Sequence, residues 1–206
     1  MTLPNWLDWA QRLQALGRIG LSFTTNPFDI ERYEEIEKIA AEMMAAGSGE
    51  AFPAVHQTFM KEAGYMTPKV DVRGVVFRDE KILLVKELSD GGWTLPGGWA
   101  DVNEPPGLAA EREVFEESGF EARAFRLMAL YDRNQHGFPP YLYHVYKVFI
   151  ECELTGGKAK ASIETDGADF FAEDALPPLS LTRITHEVLI RIFELHRNPQ
   201  TPADFD

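Results

Sequence analysis

Glu113, Glu116 and Glu117 stand at i, i+3 and i+4 in the segment EREVFEES, a spacing that brings all three carboxylates to one side of an α-helix. Like charges so placed weaken a helix by tenths of a kcal/mol each. The arrangement makes sense chiefly where hard cations neutralise it, although a solvated acidic face has the same pattern. Oxygen ligands suit Mg²⁺ or Mn²⁺, whereas zinc would draw on His or Cys, which the segment lacks. Upstream, Gly97 and Gly98 let the backbone approach a phosphate or metal in a turn that side chains would obstruct. Arg112 keeps its charge at any working pH and stands four residues before Glu116, where it can hold a carboxylate in one rotamer. Its reading is structural. Glu104, just before Pro105-Pro106, either meets the positive end of the helix dipole or serves as an outer ligand of the metal.

These residues need a scaffold. The pattern predicts a helix over residues 108–118 closed by Gly119 as its C-terminal cap, with Leu108, Val114 and Phe115 anchoring its other side. Before it, residues 70–76 alternate and lead through a charged turn at 78–81 into Ile82-Leu83-Leu84-Val85, the signature of a β-hairpin. A short extended piece at 93–95 runs into Pro96-Gly97-Gly98, and strand-like runs follow at 122–131, 141–154 and 168–171. A last helix is expected over 185–196. Strands on both sides of a central helix indicate a mixed α+β or α/β sandwich. Nearer the N-terminus, Leu3, Trp6, Leu7, Ala10, Leu13 and Leu16 recur at helical spacing until Gly17 and Gly20 interrupt them. A second helix, capped by Asp29 and carrying Tyr33, Ile36, Ala40 and Met43 as its stripe, ends at Gly47 and Gly49. This hairpin is too small to bury both stripes, which must pack on the main domain or on a second subunit. Residues 49–67 read as a connector with a short helix around 56–62, so the expected domains are 1–66 and 67–206.

Composition bounds the function. The chain has 206 residues, of which 45% are hydrophobic and 26% charged, enough for one domain of roughly 130 to 150 residues plus an appendage. A formal charge of −13 disfavours stable binding to duplex nucleic acid. Cys152 is the only cysteine, which excludes an intramolecular disulfide or a multi-cysteine zinc site and fits a reducing compartment. The first 21 residues lack the basic-then-apolar order of a signal peptide, and no run reaches the ~18 apolar residues that would cross a bilayer. A cytoplasmic protein with no membrane partner is expected.

Residues 98–120 also fill the whole Nudix box, with Gly98, Glu104, Arg112, Glu113, Val114, Glu116, Glu117, Gly119 and Phe120 at its positions. A chance match is on the order of one in a million at typical residue frequencies, so the segment resembles the Nudix hydrolases closely. That resemblance implies a loop-helix-loop within an α/β/α sandwich of mixed sheet. It also implies divalent cations on Glu113, Glu116 and Glu117, with the Gly97 carbonyl as a further ligand. The implied reaction is metal-assisted displacement at phosphorus, in which Glu116 and Glu117 are catalytic. The proton acceptor in this family is a box glutamate or a loop acid; Glu164 is the leading candidate, Asp166 competes with it, and a plain solvated acid is the alternative.

Residues 3–46, with Trp6-Leu7-Asp8-Trp9-Ala10, Asn26-Pro27-Phe28-Asp29 and Arg32-Tyr33, are similar to a helical domain found on Nudix hydrolases of X-linked nucleoside diphosphates. This second resemblance implies a homodimer and substrates of the ADP-ribose or CDP-choline class. Arg73, Glu87, Trp99 and Arg183 are the candidate substrate contacts, Asp90 flanks a strand end near them, and Trp93 and Tyr131 are further possible base platforms. His136 lies in a loop within reach of substrate, and His144 reads as a structural residue in mid-strand. Two other classes stay open at this stage: an RNA-end pyrophosphohydrolase or exonuclease, which would need a basic groove, and a non-catalytic nucleotide sensor, which would ordinarily have lost box carboxylates.

Overall fold

The computed structural model describes residues 4–62 and 64–206; the predicted helix start at Leu3 lies outside them. The chain divides into two compact units, residues 1–68 with 140–144, and residues 69–139 with 145–206.

The first unit holds α1 (Asn5–Phe23), α2 (Pro27–Ser48) and α3 (Phe52–Met60). Helix α1 does not stop at Gly17. It runs through Gly17 and Gly20 to Phe23, because these positions are where α2 comes closest: an added Cβ at Gly17 would sit 2.6 Å from Glu37 Cγ, and one at Gly20 would enter the Tyr33 ring. The glycines serve helix contact, not termination. Asn26, not Asp29, caps α2, its side chain accepting from the Phe28 amide ahead of Pro27 at the first turn. Gly47 lies inside α2 against the Trp6 ring, and Gly49, in the left-handed region, is the C-cap. The buried stripe of α2 is Glu37, Ala40, Ala41, Met44 and Ala45, one step around from the expected one. It packs with Leu7, Ala10, Val55 and Phe59, and Arg18 neutralises Glu37 inside the unit at 2.7 Å. Leu142 joins this core, and Gln11 Nε2 donates to the Tyr141 carbonyl at 3.1 Å. Residues 141–144, His144 among them, therefore do not begin the strand predicted there.

The second unit is a mixed sheet of β1 (Lys69–Arg78), β2 (Lys81–Glu87), β3 (Trp93–Thr94), β4 (Gly97–Trp99), β5 (Phe120–Asp132), β6 (Val145–Gly157), β7 (Thr165–Phe171) and β8 (Asp204–Phe205), with α4 (Pro106–Ser118) and α5 (His186–Arg197). The strand order is β3-β2-β1-β6-β5-β8, with β4 on β1 and β7 on β2. Strands β1 and β6 are parallel, and β1 and β2 form a hairpin whose Asp79 and Glu80 both take positive φ, the geometry of a two-residue turn matched to sheet twist. Side-chain alternation sorts the sheet between two helices. Val72, Val76 and Leu83 meet Ala109, Ala110 and Val114 of α4, while Val75, Ile82 and Leu84 meet Val188, Leu189 and Ile192 of α5. Coverage on both faces explains why β1 is buried continuously from Asp71 to Val76, and it makes the α/β/α sandwich.

Two further expectations change. Leu108 and Phe115 are exposed, 54% and 55%, and α4 instead seats Ala109, Ala110 and Val114 on the sheet, because only small side chains fit so close an approach. The tail, without a predicted strand, adds β8 alongside β5, tied by Asp204 to Tyr131 Oη at 2.9 Å and Arg191 Nε at 2.7 Å. Among the described residues, no helix is long and apolar enough to cross a membrane.

Candidate active site

Strand β4 lies against β1, pairing Gly97 with Arg73 and Gly98 with Val72. At Gly97 φ is +148°, and a side chain there would run into the Val72 carbonyl, so only glycine lets this turn press on β1. The Gly97 amide then donates to Glu117 Oε2 at 3.0 Å, which joins the loop before α4 to the last turn of that helix.

Glu117 is 6% exposed. Burial, reinforced by the charges of Glu113 and Glu87 and opposed by Arg73 and the Gly97 amide, pushes its carboxyl up to about 8. Burial also raises Glu113. Such a surplus of carboxylate at one wall favours a bound cation.

Arg112 organises the rest. Its Nε and Nη2 each donate to Glu104 at 2.8 Å, and its Nη1 donates to Glu113 at 2.9 Å and Glu116 at 3.0 Å. Arg112 thus bridges three carboxylates, where the sequence offered it one. Glu104 makes no side-chain cap for α4, whose N-cap is Pro105; it is the bidentate counterion of Arg112, and those hydrogen bonds hold its carboxyl below the usual range.

Gly97, Gly98, Trp99, Glu113, Glu116, Glu117, Gly119 and Glu164 all line one cavity of about 840 Å³. Among the described residues, no group of three or more His, Cys, Asp or Glu side chains is already drawn together so that it could hold a metal ion. The three box glutamates instead line an open wall, and their donors are all hard oxygens, a set that fits Mg²⁺ or Mn²⁺ and not zinc.

Tertiary structure brings Glu164 to this cavity from the β6–β7 connection, 47 positions beyond Glu117 in the chain. Its carbonyl accepts from the Leu88 amide at 2.9 Å, and its own amide donates to Ser162 Oγ at 3.1 Å. Asp166 is not among the lining residues and pairs with Lys86 at 3.2 Å.

Of the four candidate substrate contacts, Trp99 lines the cavity and is 45% exposed. Arg73 is 4% exposed, with Nε and Nη2 on Asp71 at 2.6 and 2.9 Å and Nη1 on the Leu95 carbonyl at 3.1 Å. Glu87, 6% exposed, pairs with Arg183 Nε at 3.0 Å. Arg183 also bonds Ser89 Oγ at 3.1 Å and Ser180 Oγ at 3.2 Å, and Asp90 accepts from Ser180 Oγ at 2.7 Å. Arg73 thus ties the middle of β1 to the loop before β4, Glu87, Asp90 and Arg183 brace the β2–β3 turn, and none of the four lines the cavity. Trp93 packs edge-on against Phe171, and Tyr131 is buried with His136 stacked on it. His136 Nε2 meets Asp206 at 2.7 Å, away from the cavity residues.

Sequence reasoning passed over Asp101, Lys158, Lys160 and Ile163 and turned Phe115 to the other side of the helix; all five also line the cavity. The available signal was Lys158-Ala159-Lys160, two cations just after a strand in an acidic chain and just before Glu164.

Residues 67–192 match the family model of the NUDIX domain, and residues 4–59 match that of a UDP-X-like, N-terminal oligomerisation domain. YjhB of Bacillus subtilis, whose name places it provisionally among the ADP-ribose pyrophosphatases, is 44% identical over 98% of this chain and 97% of its own length. A solved UDP-X diphosphatase is 32% identical, with a TM-score of 0.64 and full coverage of both chains. An ADP-ribose pyrophosphatase from Streptococcus suis is 41% identical, with a TM-score of 0.63, over 68% of this chain and all of that one.

Proposed function

This chain belongs to the Nudix family and is a pyrophosphohydrolase of it, and on that premise we propose how its cavity works. The substrate is a nucleoside diphosphate joined to a second group, of the ADP-ribose or CDP-choline class. The products are a nucleoside monophosphate and a phosphorylated second group. One observation carries this reading: the box glutamates, Gly97 and Glu164 line the same cavity although they come from three separate parts of the chain.

Glu113, Glu116, Glu117 and the Gly97 carbonyl would hold Mg²⁺, or Mn²⁺ in its place. When bound, the metal would shield the anionic pyrophosphate and lower the pKa of water. Arg112, clamped by Glu104, bridges Glu113 and Glu116 and offsets their mutual repulsion. Glu164 accepts the proton of the attacking water, a role supported by its fixed backbone at the cavity wall. Trp99 offers a half-exposed face on which a base can stack. Glu87 and Arg183 act by holding the β2–β3 turn.

The first unit makes a homodimer. Support comes from its match to an oligomerisation domain and from its apolar groove of about 490 Å³, lined by Trp9, Leu13, Leu16 and Met43 with Arg12 at its side. A cytoplasmic location is proposed because the chain has one cysteine, the buried Cys152, and so uses no internal disulfide, which fits a reducing compartment.

The test is hydrolysis of ADP-ribose, UDP-glucose and CDP-choline with Mg²⁺, with EDTA and with Mg²⁺ restored, the products being resolved. Turnover is expected to require the metal, and Glu117→Gln is expected to remove nearly all of it while leaving the circular dichroism spectrum unchanged. Retained turnover in that variant would sink the ligand assignment.

A further inference from the structure

The cavity is not acidic throughout its lining. Lys158 and Lys160, both exposed, line it from the β6–β7 connection, and no ion pair joins either ammonium to Glu116 or Glu164, the solvated carboxylates that line the same cavity. Their stems are long, but the backbone that carries them is fixed. The Lys160 amide donates to the Ser118 carbonyl at 2.9 Å and the Lys158 amide to the Gly119 carbonyl at 3.2 Å. Farther along, Thr165 Oγ1 donates to the Glu117 carbonyl at 2.6 Å, and Ser162 Oγ accepts the amides of Glu164 and Thr165 at 3.1 Å each.

This close seating depends on Gly119, whose φ is +75° and whose added Cβ would lie 2.6 Å from the Lys158 carbonyl and 2.7 Å from Lys160 Cβ. The box glycine therefore does more than end α4. It seats the backbone of two lysines against the end of the helix that carries the box glutamates.

We infer that Lys158 and Lys160 select the second group of the substrate by charge, favouring nucleoside diphosphates whose second group is anionic over those in which it is neutral, and neutral over cationic. The inference rests on the pyrophosphohydrolase reading of the cavity. Its physical basis is that a mobile ammonium near an anion gains Coulomb energy with little desolvation, whereas a quaternary ammonium at the same place is repelled. The bare alternative is that the lysines merely complement the C-terminal dipole of α4, which would affect stability and leave selectivity unchanged.

The experiment uses two pairs of probes that share a base and differ in the charge of the second group: UDP-glucuronic acid against UDP-glucose, and CDP-glycerol against CDP-choline. Wild type is expected to show higher kcat/KM for the first member of each pair. In Lys158→Ala/Lys160→Ala the ratio within each pair should fall by roughly tenfold, the product of two exposed Coulomb interactions of about threefold each. Lys158→Arg/Lys160→Arg should restore the ratios, and the preference should weaken with added salt. Unchanged ratios in the alanine variant, or equal losses on both members of a pair, would overturn the inference and leave the pyrophosphohydrolase reading standing. If wild type turns over none of the four probes but hydrolyses ADP-ribose, the pyrophosphohydrolase reading stands; if it does not hydrolyse ADP-ribose either, that reading falls instead. Binding of UDP-glucuronic acid and UDP-glucose to wild type and alanine variant, measured by calorimetry, then decides the charge selection, and equal affinities overturn it.

Discussion

Replacing Asp71 by Asn removes the carboxylate that Arg73 and Lys147 share inside the sheet. Asp71 on β1 accepts from Arg73 at 2.6 and 2.9 Å and from Lys147 Nζ, on the paired strand β6, at 2.8 Å. Lys147 is 1% exposed. At an effective dielectric constant near 20, unit charges so close attract by about 6 kcal/mol per contact; most of this offsets desolvation, and breaking a buried pair from one side costs about 3 to 5 kcal/mol. The two cations differ in how they escape that cost. Burial and the Arg73 charge already hold Lys147 down to about 7, so it can lose its proton, whereas Arg73 cannot. Asp71→Asn is thus expected to lose about 3 to 5 kcal/mol at neutral pH, lowering the melting temperature by roughly 10 °C. Lys147→Met leaves a balanced Asp71–Arg73 pair and should change stability by no more than about 1 kcal/mol. Because the folded pKa of Lys147 lies below its ordinary 10.5, the unfolded chain binds more protons between those two values. This residue therefore makes stability rise with pH from about 7 towards 10.5. This rise should be lost in Lys147→Met, which keeps only the opposite slope that Glu117, with its carboxyl held up to about 8, contributes below that pH. Urea unfolding followed by circular dichroism at pH 6.5, 8 and 9.5 reads all three expectations. Equal losses in the two variants would refute the claim that the unbalanced charge, and not lost packing, sets the cost.

Glu164→Gln should lower kcat by about 10² to 10⁴-fold, while Asp166→Asn, which breaks a surface pair with Lys86, should stay within about twofold; steady-state rates on ADP-ribose compare them, and the reverse order would transfer the proton acceptor to Asp166. Gly119→Ala forces a side chain into a left-handed backbone position against the lysine-bearing connection. It should cost about 1 to 2 kcal/mol, read as a lowered thermal midpoint. Trp9→Glu/Leu16→Glu places charge in the apolar groove of the helical unit and should convert a dimer to a monomer in light scattering; an unchanged mass would move the interface elsewhere.

How much of this was legible in the sequence depends on the range of the interaction concerned. The one-sided set of Glu113, Glu116 and Glu117, the αL cap at Gly119 and the β1–β2 hairpin follow from helical and strand periods and from turn chemistry, which act within a few residues. Those features were therefore visible in the residue string. Burial is a property of what arrives from elsewhere, and the periodicity of α4 was compatible with Leu108 and Phe115 facing inward until the sheet admitted only Ala109, Ala110 and Val114. Gly17 and Gly20 read as breakers because local propensity makes them so, yet the approach of Glu37 and Tyr33 overrides it. Charge pairs separated by 76 positions, such as Lys147 with Asp71, left no local trace. The composition of the cavity was likewise decided by tertiary structure. The amino-acid string alone determined the helix that gathers the three box glutamates, because its carboxylates are neighbours on a single turn. Only the folding of the β6–β7 connection onto the end of that helix determined that Glu164, Lys158 and Lys160 share its cavity, because the Lys158 and Lys160 amides and the Thr165 hydroxyl donate to the carbonyls of Gly119, Ser118 and Glu117.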